Sequence, residues 1–141
     1  MSAELEELYQ SIILDHNRRP QNHRVMADAT GHAEGLNPLC GDQVTVFVKL
    51  EGDRLADVSF QGHGCAISKA SASLMTQAVK GKTVAESQAI FDRFHAMVTG
   101  QGTEGITGGL KALSGVSKFP LRVKCASLGW HAMKAALAGE T

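Results

Sequence analysis

With 141 residues, 43% of them hydrophobic, the chain has material for one domain with one real core. Fourteen Lys and Arg balance fourteen Asp and Glu, so nothing in the net charge points to a nucleic-acid or membrane partner. No apolar run is long enough to span a bilayer, and the acidic opening Met1-Ser2-Ala3-Glu4-Leu5-Glu6-Glu7 is unlike a basic secretory leader, which predicts a cytoplasmic protein.

Leu5, Leu8, Ile12 and Ile13 follow helical spacing, and this first helix is expected to stop before Pro20. Residues 17–25 read as a loop, and residues 29–34 as a short edge strand weakened by Gly31 and Gly35. A run of turn formers, Asn37-Pro38-Leu39-Cys40-Gly41-Asp42, comes next. Strict alternation then puts Val44, Val46, Val48 and Leu50 on one face of a strand. Glu51-Gly52-Asp53 turns the chain, and Leu55 to Phe60 returns with Ala56, Val58 and Phe60 on one face. After Gly62-His63-Gly64 the period changes to 3.6, predicting a helix from Ala66 to Val79 stopped by Gly81. Val84, Phe91, Phe94 and Val98 mark a third helix. Residues 99–109, with five glycines, form a flexible connection. Leu110, Leu113 and Val116 suggest a short helix ended by Pro120, and Cys125 to Leu137 the last helix. Strands first and helices later make the class α+β: residues 1–141 as a single domain, with a small antiparallel sheet covered by helices on one side.

The three cysteines each fall at a junction between elements: Cys40 in the turn before the first hairpin strand, Cys65 where strand gives way to helix, Cys125 at the expected start of the last helix. An odd count in a reducing compartment speaks against a disulfide framework. Loop ends and helix N-termini along one sheet edge can converge, and a helix N-terminus favours a thiolate. Three buried small hydrophobes are the bland alternative, but such cysteines lie more often inside elements. Cys40 and Cys65 are 25 residues apart, and Cys65 and Cys125 are 60 apart. No local zinc finger or dithiol redox pair fits that spacing; only the fold can unite these thiols. For a fourth ligand, Asp42 can point into the same space across Gly41, or simply cap the turn. His63 competes from between two glycines. His131 lies about 240° round the helix from Cys125 and faces elsewhere.

Asn37-Pro38-x-Cys40-Gly41-Asp42, then Gly64-Cys65-Ala66-Ile67-Ser68-x-Ala70-Ser71-Ala72-Ser73, then Arg122-Val123-Lys124-Cys125-Ala126-x-Leu128 resemble the NifU/IscU-like family of iron–sulfur cluster assembly proteins. The resemblance covers nearly the whole chain, from the N-terminal helix with Asp15-His16 onward. It implies a site built from Cys40, Asp42, Cys65 and Cys125. The IscU scaffold branch carries His before the third cysteine, with a Leu-Pro-Pro-Val-Lys chaperone-binding stretch upstream. Here those positions hold Lys124 and Lys118-Phe119-Pro120-Leu121-Arg122, and a Gly-rich piece lengthens the segment between Cys65 and Cys125. These features resemble the SufU branch. That resemblance implies bound Zn²⁺ and acceptance of persulfide sulfur from a pyridoxal-phosphate-dependent cysteine desulfurase (SufS-like), for delivery to a cluster scaffold complex. Cys40, in a turn beside Gly41 where it can swing at little backbone cost, is the expected acceptor.

Zn²⁺ accepts three thiolates and one carboxylate readily. That set sums to −2, a charge Lys124 and Arg122 are suited to offset, although each also fits an ordinary solvated residue. Two other readings use the same residues: a [2Fe–2S] scaffold, in which a carboxylate among thiolates would ease cluster transfer, and a structural zinc module without sulfur chemistry.

Overall fold

Val44, Val46 and Val48 form the buried stripe of the central strand in the computed structural model, which describes residues 3–38, 41–106 and 108–138 (residues 3–6 and 8 by backbone alone). That strand, β2 (Asp42–Glu51), lies between β1 (Gly31–Asn37) and β3 (Arg54–His63) in an antiparallel sheet of order β1-β2-β3. Gly52 closes the β2–β3 hairpin at φ 66°, a left-handed conformation that glycine adopts without strain. Val46 pairs with Phe60 and Val48 with Val58, which sets the inward face. The register slips between Lys49 and Leu50. The extra residue turns Leu55 into the core and leaves Ala56 half-buried, reversing the alternation expected there.

β1 runs three residues further than its glycines suggested, and pairs as far as Asn37 with Asp42. Those glycines do not weaken the strand; they admit a helix. A Cβ at Gly31 would meet the Ala136 carbonyl oxygen at 2.6 Å, and one at Gly35 the Leu128 side chain at 3.1 Å. The outer edge of β3 is covered by residues 22–24, where Arg24 N–H donates to Phe60 O (2.9 Å) and Phe60 N–H to Asn22 O (3.0 Å).

The helices follow in order: α1 (Ala3–Arg18), α2 (Ala66–Val79), α3 (Val84–Val98) and α4 (Pro120–Leu137). A 3₁₀ segment, Gly108–Lys118, precedes α4. α4 packs on β1 and β2, while α2 packs against β3, α1 and α4. Trp130 of α4 anchors the core. Its ring stacks on Phe94 (4.3 Å between centroids), and its Nε1–H donates to Ser71 Oγ of α2 (3.1 Å).

Two expectations change near the end of the chain. Leu110, Leu113 and Val116 recur every three residues, the period of a 3₁₀ helix, and they are buried in one. Pro120 opens α4 instead of merely ending what comes before. Its fixed φ and missing N–H suit the first helical position, where no intrahelical partner is needed. α4 therefore begins five residues before Cys125, which sits in its second turn.

Candidate metal centre

Asp42 is the first residue of β2 and fully buried. Its Oδ1 accepts from the Cys65 backbone N–H at 2.8 Å, and the Cys65 thiol reaches its Oδ2 at 3.6 Å. The strand-end pairing makes this possible, since Gln43 lies opposite His63 and the next two residues lead to Cys65. Gly64 is required at that approach. A Cβ there would stand 2.5 Å from Asp42 Oδ1 and 2.9 Å from its Cγ, closer than such contacts occur.

Cys65 is the N-cap of α2, with extended backbone (φ −71°, ψ 166°), and its sulfur accepts from Ser68 N–H at 3.4 Å. The N-terminal placement inferred from the sequence holds for this thiol, which is also exposed. It does not hold for Cys125. That thiol is 3% exposed within α4, so burial and neighbouring side chains set its surroundings, not a helix N-terminus. The Asn37 side-chain amide donates toward Cys125 Sγ at 4.0 Å.

One ligand atom from each of Asp42, Cys65 and Cys125 can be chosen so that all lie within 4.8 Å of one another. Tetrahedral Zn²⁺ with bonds of roughly 2.0–2.3 Å needs ligand atoms about 3.3–3.8 Å apart, so a modest contraction suffices. Two soft thiols with one carboxylate form a donor set that suits zinc. Cys40, the remaining expected ligand, lies outside the described residues. On either side of it, Gly41 N–H donates to Asn37 O at 2.8 Å. Gly41 has φ 73°, and among the described residues a Cβ there would meet nothing within 4 Å.

His63 is exposed at the end of β3 and is not in the group that draws together. Lys124 and Arg122 are exposed on α4 ahead of Cys125, and the Arg122 guanidinium lies over the Phe119 ring, 4.5 Å from its centroid. His131 faces α3, with its ring edge-on to Phe91 (5.4 Å). Burial there pulls its pKa below the ordinary histidine value, assisted by the His95 and Lys134 charges.

Two contacts around the site went unread in the sequence. Ser68 supplies the N–H that holds Cys65. Asn37 occupies a core-facing position of β1, in phase with Gly31, Ala33 and Gly35. The available signal was that phase: an amide falls where the strand otherwise turns small residues inward.

Known proteins resemble this chain along nearly its whole length. The "Zinc-dependent sulfurtransferase SufU" of Bacillus subtilis (strain 168) is 42% identical over 141 residues, covering 99% of this chain and 95% of the relative. The "Iron-sulfur cluster assembly scaffold protein IscU" of Streptococcus pyogenes serotype M1 is 41% identical, covering 96% and 86%. The crystal structure of FiSufU from Fervidobacterium islandicum AW-1 superposes with a TM-score of 0.86 at 34% identity, covering 96% of this chain and 99% of that one. Among the described residues, no helix is long and apolar enough to cross a membrane. The family described as the NifU-like N terminal domain matches residues 8–139, and the chain belongs to it.

Proposed function

We propose that this is an iron–sulfur cluster assembly protein that works as a zinc-bound sulfur acceptor. In this reading Cys40, Asp42, Cys65 and Cys125 hold the metal and Cys40 receives the sulfur. The observation that carries the reading is the convergence of Asp42, Cys65 and Cys125, from three distant segments, to within 4.8 Å. The name of the Bacillus subtilis relative supports zinc and sulfur transfer. When bound, Zn²⁺ keeps thiolates deprotonated at neutral pH and links the three segments. Lys124 and Arg122 offset the negative charge of the ligand set, and Arg122 stands where it can help orient a partner.

The sulfur donor is a pyridoxal-phosphate-dependent cysteine desulfurase in the cytoplasm, and the recipient a cluster scaffold complex. The Cys40 thiolate attacks the outer sulfur of the desulfurase persulfide. A new S–S bond forms on Cys40 as the old one breaks, and the desulfurase cysteine leaves as thiolate. Cys40 suits this role because Gly41 beside it bends at little backbone cost, whereas Cys125 is buried. After reaction with desulfurase and cysteine, mass spectrometry is expected to find one added sulfur on Cys40. Cys40→Ser is expected to stay folded and lose stimulation of desulfurase turnover. Sulfur found on Cys125, with Cys40→Ser still active, would overturn the assignment.

A second reading, a [2Fe–2S] scaffold on the same residues, is favoured by the name of the Streptococcus pyogenes relative. Metal analysis separates the two. About one zinc per chain without colour supports the acceptor; stoichiometric iron and sulfide without zinc supports the scaffold. Zinc binding without any persulfide on the protein would leave a structural zinc module.

A further inference from the structure

The described thiols of the site receive their N–H donors in different ways. Cys65 receives one from the backbone of Ser68, which every residue type at position 68 except proline supplies. Cys125 receives one from the side chain of Asn37, which depends on a single residue. Asn37 is 7% exposed, sits directly opposite Asp42 in the β1–β2 ladder, and accepts Gly41 N–H on its carbonyl at 2.8 Å. One residue thus touches three parts of the site: Gly41, the strand carrying Asp42, and the α4 sulfur. A buried side-chain amide costs desolvation unless it is hydrogen-bonded, and the donation to the Cys125 sulfur meets part of that need.

We infer that Asn37 is a positioning residue of the metal centre: its Nδ2–H donates to the Cys125 sulfur, fixing Cys125 as the stationary thiolate ligand and tying α4 to the end of β1. The inference rests on the metal-binding reading above. Donation into a coordinated sulfur orients its lone pairs and withdraws electron density from it, as partners of metal ligands commonly do. The role is structural toward the metal and requires no contact with the sulfur being transferred.

The test compares the full chain with Asn37→Leu, which removes the donor in similar volume, and Asn37→Gln, which keeps it on a longer arm. Asn37→Asp serves as a shape-matched variant without the N–H, in case leucine disturbs the fold. Zinc affinity is measured by competition with a chromophoric chelator, and Co²⁺ is used as a spectroscopic probe. Asn37→Leu and Asn37→Asp are expected to bind zinc about 10-fold or more weakly, with Asn37→Gln closer to the parent. The thiolate-to-cobalt charge-transfer band is expected to move to lower energy when the donor is lost, while the metal-free melting temperature of Asn37→Leu is not lowered. Parent-like zinc affinity and cobalt spectra in Asn37→Leu and Asn37→Asp would sink the inference with the metal site intact. Failure of the parent chain to bind either ion would instead refute the reading on which it rests.

Discussion

The two described cysteines of the centre occupy opposite kinds of place. Cys65 is exposed at the first turn of α2, and its geometry is set within a few residues: Gly64 makes room for Asp42, and Ser68 caps the sulfur. Cys125 is buried in the second turn of α4, and only packing brings it to the site: α4 against β1 over Gly31 and Gly35, and Asn37 against its sulfur. One half of the centre is built by local sequence, the other by tertiary structure. A metal bridging the halves would lock a long-range contact that the chain otherwise maintains by packing and a few side-chain hydrogen bonds.

The largest expected effect follows from that bridge. Binding free energy at a site assembled from distant segments is also folding free energy. Removing zinc with a chelator is expected to lower the melting temperature by about 10 °C. Calorimetry on verified metal-free protein checks this, and an unchanged melting curve would show that the fold holds α4 in register without the metal.

Next is the difference between the thiols themselves. In metal-free native protein, a soluble alkylating reagent is expected to modify Cys65 at least about tenfold faster than Cys125, which must wait for local opening. Peptide mapping by mass spectrometry over a time course reads both rates. Equal rates would mean that α4 is not docked without metal, and the contrast would belong to the loaded state only.

The local half can be broken alone. Gly64→Ala is expected to weaken zinc affinity about tenfold by pushing Asp42 from Cys65, with little change in the rest of the fold. Gly115→Ala, where a Cβ meets nothing within 4 Å, is the control. Chelator competition that ranks the two variants together would dispose of the steric argument.

The smallest effect comes from two histidines that lie outside the metal centre, His16 and His131. His16 of α1 sits 2.6 Å from Ser73 Oγ of α2, and burial holds its pKa below the ordinary 6.5 despite the Asp15 carboxylate. His131 of α4 is depressed in the same direction. Each is favoured neutral in the fold, so the unfolded chain binds more protons below about pH 6.5. This stabilisation is complete above that value and is lost as pH falls from there through the depressed folded pKa values. Melting of metal-free protein between pH 8 and 5 is expected to show the decline, and His16→Asn to flatten part of it. A variant curve parallel to the parent would remove His16 from the account.

Much of this was legible beforehand, for identifiable reasons. The Val44-Val46-Val48 alternation and the Ala66–Val79 helix are patterns with one dominant period, and both elements lie where that period places them. The junction at Cys65 and the placement of Asp42 stood out because turn residues surround them, whereas Cys125, expected at a junction too, lies inside α4. The rest depended on packing. Pro120 is compatible with both an end and a beginning, and only the docking of α4 decides which. A residue inserted opposite Lys49 and Leu50 leaves no mark on local propensity, so Ala56 and Leu55 exchanged faces unseen. The glycines of β1 looked like weakness because the helix that needs them lies about a hundred residues away in sequence. Asn37 was visible as part of a motif, but its reach to Cys125 across 88 positions was not.

The exposure of Cys65 also sets the kinetics of metal exchange. Asp42 and Cys125 are shut off from solvent, so among the described ligands an incoming chelator or metal carrier can first make contact only beside Cys65. Loading and unloading by an associative route would therefore be directional, through a doorway at the first turn of α2. Widening or blocking that doorway would change the rates of entry and escape together while leaving the affinity almost where it was.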